Sequence, residues 1–228
     1  QQRERRAELH IGCNPLLTDL TALSGIGPLL SSAAAAGFGP VDIHNNEALA
    51  SLAGLETFTH VGALHIAGSP LITSLAPLGS LEQAGALSIS NMPGLTSLAG
   101  LEGITSTGSL TIDDNVGLVD LTGLDALTSV SSLGIYDNSE LLSLDGLDGL
   151  VAIAGDLKLV RNASLSDLSA LSSVTSVHTL QVTDNPSLDG LDGLAGLTTI
   201  SGDLVLHNNA NLSDLSALSS VGSADSIR

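Results

Sequence analysis

The sequence predicts a repeat solenoid, a stack of short parallel strands joined by tight turns with little α-helix. Three observations carry this. A strand-like triplet opens at Leu9 and recurs at Val41, Leu64, Leu87, Leu110, Leu133, Leu157, Leu180 and Leu204, at intervals of 23 or 24 residues from Val41 onward. Within each unit leucines fall every third residue, as at Leu118, Leu121, Leu124 and Leu127, followed by Val130. An asparagine stands five residues after most of these starts. A period of this length marks coils that cannot bury their apolar face alone and stack to do so.

Each unit opens on the strand. Leu110-Thr111-Ile112, Leu133-Gly134-Ile135 and Leu157-Lys158-Leu159 alternate with period two, so the outer members turn inward and the middle one faces solvent. Nine parallel strands about 4.8 Å apart build a ladder roughly 40 Å long. The leucines that follow have the wrong spacing for an amphipathic α-helix, which needs mixed steps of three and four. A step of three suits 3₁₀ turns and extended corners that point one residue in three inward. Those leucines are core.

The polar column consists of Asn14, Asn46, Asn115, Asn138, Asn162, Asn185 and Asn209. Where the chain leaves the sheet its backbone groups need partners, and an inward carboxamide supplies a donor and an acceptor. A structural ladder is expected. Ser69 and Met92 interrupt it, which predicts an altered turn and a weak point in the middle of the stack. Asn162-Ala163-Ser164 and Asn211-Leu212-Ser213 match the glycosylation triplet, the second at a less protected position.

One solenoid over 9–228 is expected, preceded by a flank at 1–8. The 32-residue interval from Leu9 to Val41 places an insertion near 31–40, including Ser31-Ser32-Ala33-Ala34-Ala35-Ala36-Gly37. Only 1% of residues are aromatic, so aliphatic side chains must fill the core. The formal net charge is −18, and no Lys or Arg occurs between Arg6 and Lys158. Such a surface disfavours nucleic acid and anionic lipid. Cys13 is the single cysteine, which excludes an internal disulfide and a four-cysteine zinc site. No apolar run reaches membrane-spanning length, so direct membrane insertion is not expected.

Leu110-Thr111-Ile112-Asp113-Asp114-Asn115 and Leu118-Val119-Asp120-Leu121-Thr122-Gly123-Leu124 resemble leucine-rich repeats. More narrowly they resemble the receptor L-domain form of growth-factor-receptor ectodomains, fungal wall proteins and many bacterial surface proteins. The resemblance covers nearly all of 9–224. It implies a right-handed solenoid with a parallel sheet on one face, and binding of ligands or proteins without catalysis. Internalin-like repeats look related, with a shorter usual period. The scarcity of cysteine departs from the animal receptor modules and favours a bacterial surface protein. An extracellular or cell-surface recognition or adhesion module, binding a protein or glycan through the sheet face, follows as the expected function. The alternative is a structural spacer or end-to-end assembling segment.

The outward columns carry what the repeat leaves free. One reads His10, Asp42, His65, Ser88, Thr111, Gly134, Lys158, Gln181 and Val205; the next includes His44, Asp113, Tyr136 and Val160. A third holds Asp114, Asp137, Arg161, Asp184 and Asn208. Asp113, Asp114, Tyr136, Asp137 and Arg161 form the candidate ligand-binding group, with Tyr136 as an amphipathic anchor and the aspartates as charge partners. The competing reading is that Arg161 merely relieves repulsion between Asp137 and Asp184. No cofactor is implied. Asp113, Asp114, Asp137 and Asp120 admit weak calcium binding, but their spacing is not that of a dedicated calcium loop. His44 and His65 occupy different columns, which argues against a zinc pair, and no dedicated metal site is expected. No nucleophile elbow, metalloprotease helix or phosphate loop is present, so no catalytic residue is assigned.

Overall fold

The computed structural model describes residues 8–26 and 39–227. Its strands at the nine repeat starts are Leu9–Gly12, Pro40–His44, Ala63–Ala67, Leu87–Ser90, Ser106–Asp113, Ser129–Tyr136, Leu157–Val160, Leu180–Thr183 and Asp203–His207. They lie side by side in sequence order, followed by a short strand, Ser226–Ile227. Every pairing along this path is parallel, and the repeat starts align one on the next, from Leu9 on Val41 through Leu180 on Leu204. The register continues to Ile227 beside Leu204. The fold is a parallel β-solenoid of the leucine-rich-repeat type. Most of the expected insertion lies outside the described residues, and its end, Pro40, begins the second strand.

The core is one continuous column. Leu118, Leu121, Leu124 and Leu127 are fully buried, and Val130 nearly so, as the three-residue spacing requires. The coil backs turn in two ways. Five 3₁₀ segments occur among the described residues, Thr21–Leu23, Ala76–Leu78, Ser169–Leu171, Asp192–Leu194 and Ser216–Leu218. The remaining backs use a left-handed glycine, Gly54, Gly100, Gly123 or Gly146, with φ from 100 to 114°. At Gly123 a Cβ would also collide with the Leu98 carbonyl of the preceding coil, so both the torsion and the contact demand glycine.

Acidic side chains brace both kinds of turn. Glu56, Glu102, Asp125 and Asp148 accept from the amides of Gly54, Gly100, Gly123 and Gly146. Asp19, Asp120, Asp167 and Asp214 accept from the amide two residues further on. Eight of the 24 acidic residues thus hold backbone donors that turn formation would otherwise leave open. Much of the negative charge therefore has a local structural cause.

The asparagine ladder forms rung by rung. Asn138 Oδ1 accepts from the Asn115 amide at 3.0 Å, while Asn138 Nδ2 donates to the Ile112 carbonyl at 3.0 Å and to its own Tyr136 carbonyl at 2.7 Å. Asn46, Asn115, Asn162, Asn185 and Asn209 likewise reach back one coil, and Asn14 caps the first rung. Ser69 gives only a long 3.4 Å bond from Asn46, and Met92 has no oxygen for the preceding coil. There the amide of Gly68, left-handed at φ 56° like its counterparts, keeps the usual bond to the carbonyl one coil on, that of Ser90, and adds a second to Asn91. The turn is altered where the column breaks. Asn162 is fully buried and Asn211 is exposed, as their ladder and off-ladder positions require.

Candidate functional site

The residue just before each rung is left-handed in every coil: Cys13, Asn45, Gly68, Asn91, Asp114, Asp137, Arg161, Asp184 and Asn208 have φ between 50 and 59°. This is the third outward column of the sequence. Asn, Asp and Gly tolerate this conformation because a short polar side chain, or none, relieves the Cβ clash. Asp114 and Asp137 thus have a backbone reason to be where they are. Arg161 has none, since a long unbranched cation gains nothing from the torsion.

What holds Arg161 is its neighbour. Its Nε donates to Asp137 Oδ1 and its Nη2 to Asp137 Oδ2, each at 2.6 Å, a two-pronged pair across adjacent coils. One coil further, Asn208 Nδ2 donates to Asp184 Oδ1 at 3.0 Å. Asp113 stands beside Tyr136 in the ladder. Burial pushes its pKa above the ordinary 3.8, with repulsion from Asp137 and Asp114 adding and Arg161 offsetting. The structure therefore couples Asp113, Asp114, Asp137 and Arg161 electrostatically, with Tyr136 beside Asp113 in the ladder.

Tyr136 lies back over Gly134, beside a hollow in the sheet face lined also by Thr111, Asp156 and Lys158. Lys158 pairs with Asp156 at 2.8 Å, and that contact holds the Asp156 carboxyl below its ordinary range and raises Lys158. Lys158 and Asp156 lie outside the group that the sequence singles out. Lys158 was visible in the first outward column, but Asp156 precedes its strand, and only the coil path shows that it borders the hollow. The second outward column is less open than alternation suggests, because Val160 and Thr183 are buried.

A second group occupies the other end of the same face. His10 pairs with Asp42, Asp42 with His65, and Gly12 with His44 in the parallel register. Asp42 Oδ2 lies 2.8 Å from His10 Nδ1, and Asp42 Oδ1 lies 2.9 Å from His65 Nδ1. His44 leans back over Gly12, whose missing Cβ leaves room for the imidazole. The His10 and His44 rings meet edge to face, with centroids 5.0 Å apart. By column alone His44 and His65 stand apart. The informative signal was Gly12, which lets a second-column side chain fold back into the first.

Among the described residues no helix is long and apolar enough to cross a membrane. No protein-family model matches the chain, and no curated protein matches it. Among solved structures it is similar to an internalin from Listeria monocytogenes, at 17% identity over 96% of this chain and 97% of that one, with a TM-score of 0.21.

Proposed function

We propose that this chain is a non-catalytic recognition or adhesion module of the cell surface or extracellular space. It binds a protein or glycan through the sheet face around Asp113, Asp114, Tyr136, Asp137 and Arg161. The observation that carries the reading is Arg161. In a column that takes Asn, Asp or Gly in seven of nine coils, an arginine bears the left-handed torsion and presents a guanidinium fixed by Asp137, while the chain's single tyrosine stands on the same face, folded back toward Lys158. A planar cation held in place on the same face as an amphipathic ring suits recognition of carboxylate-bearing or hydroxyl-rich groups. The rigid coil stack would lower the ordering cost of binding.

The test is a screen against a glycan array and a displayed library of surface proteins, with and without calcium, followed by three variants. Tyr136→Ala and Asp137→Ala should abolish a specific interaction without unfolding the chain. Arg161→Asn should abolish it while leaving the thermal midpoint unchanged or raised, since asparagine accepts the torsion. Binding that survives all three variants would sink the patch. Concentration-dependent filaments with no ligand would favour the spacer or assembly reading instead.

A further inference from the structure

We propose that His10, Asp42 and His44 form a surface site for a divalent transition-metal cation of the zinc class, with His65 orienting the carboxylate. The site is independent of the recognition patch. Among the described residues, His10, Asp42 and His44 bring one ligand atom each to within 4.8 Å of one another.

His10 Nδ1 lies 2.8 Å and His44 Nε2 3.9 Å from the same atom, Asp42 Oδ2. Zinc bonds of about 2.0–2.1 Å place tetrahedral ligand atoms roughly 3.3 Å apart, so modest side-chain rotation closes the set. His65 Nδ1 donates to the other oxygen, Asp42 Oδ1, at 2.9 Å, so Oδ2 is turned toward His10 Nδ1 and His44 Nε2, and a cation there takes the place of the proton between His10 and Asp42. A hydrogen bond of this kind orients a ligating carboxylate. His65 stacks behind His44, with ring centroids 6.4 Å apart, and limits how far that ring can swing.

Ligand chemistry decides the class of cation. Imidazole nitrogen with one carboxylate suits zinc, copper or nickel. Calcium asks for six to eight oxygens and would find too few. The His10 side chain is 65% exposed, so three protein ligands would leave a coordination position open to water or a donor from outside. The surrounding chain, with its net charge of −18, raises the local concentration of cations.

The experiment is calorimetric titration of the full chain, without a polyhistidine tag, using zinc and, separately, calcium and magnesium. The expected result is saturable binding of one zinc per chain and none of the other two at the same concentrations. His44→Ala and His10→Asn should weaken zinc binding at least tenfold, and His65→Ala roughly tenfold to a hundredfold as a supporting contact. Gly12→Ala should weaken it as well, because its methyl displaces the His44 ring without removing a ligand. His178→Ala, His207→Ala and Cys13→Ser should leave it unchanged. Circular dichroism of the metal-free variants separates lost binding from lost folding. Zinc affinity that persists in the His10→Asn, His44→Ala double variant, or that disappears in Cys13→Ser, overturns the site. So does an absence of zinc binding by the parent chain, in which case the histidines serve only to pair with Asp42.

Discussion

Tyr136 closes over Gly134, two residues back on its own strand: a Cβ at position 134 would stand 2.6 Å from the Tyr136 hydroxyl oxygen and 2.8 Å from Cζ. The atoms in the way belong to the far end of a side chain, so Gly134→Ala should move the ring and spare the backbone. Tyr136 is the only tyrosine and the chain has no tryptophan, so its near-ultraviolet circular dichroism reports on this ring. The expected outcome is a changed tyrosine signal with a nearly unchanged far-ultraviolet spectrum. An unaltered tyrosine band would show that the ring does not depend on the gap at Gly134.

The ladder predicts a gradient of cost along the stack. Asn138→Ala removes an acceptor for the buried Asn115 amide and a donor to the Ile112 carbonyl, leaving both without that partner. Each unsatisfied buried group costs about 1–3 kcal/mol, so a loss of roughly 3 kcal/mol in urea unfolding is expected. Asn14→Ala, at the exposed first rung, should lose far less. Equal losses at the two positions would contradict a role that depends on burial.

Thr107 should be improvable. It continues an inward column whose other residues along the coils are Val61, Ala84, Val130 and Ile153, and its buried Oγ1 has no hydrogen-bond partner. Thr107→Val keeps the branched shape and removes the unsatisfied hydroxyl, for a gain on the order of 1 kcal/mol. A lower urea midpoint for the variant would mean the hydroxyl is satisfied in solution.

Asp113 gives a pH dependence with a definite sign. Its pKa is raised in the folded chain, chiefly by burial, so folding disfavours its ionised form. Below the ordinary value of 3.8 both states hold the proton and there is no penalty. As pH rises through 3.8 and then through the raised folded value, the unfolded chain ionises first and stability falls. Asp113→Asn should therefore stabilise the protein near neutral pH and have little effect near pH 3, as thermal melts at the two pH values would show. Asp156 works the other way. Its pKa is lowered by the Lys158 contact, so its stabilising contribution is present above the ordinary value and is lost as pH falls through the lower folded one.

The repeat was legible in the sequence because stacking imposes the same demand on every coil. Leu118, Leu121, Leu124 and Leu127 must all turn inward, and Asn115 and Asn138 must each serve the coil before them, so residue type recurs at a fixed interval. The candidate group from Asp113 to Arg161 was legible for the opposite reason, as the place where the outward columns stop repeating. Sequence alone could not say that Asp114, Asp137 and Arg161 share a left-handed backbone, because Asp is common both in such turns and in binding sites.

The sequence by itself determined the coil length, the inward leucines, the asparagine ladder and the columns that face outward. Only the tertiary structure decided which outward side chains meet. The register across the 32-residue interval set Asp42 between His10 and His65, and Gly12 made room for His44, joining the first three coils. The physical reason is that core positions answer to a periodic constraint that any one coil displays. Contacts on the face depend on strand alignment and on which neighbour lacks a side chain, and neither is a property of a single repeat.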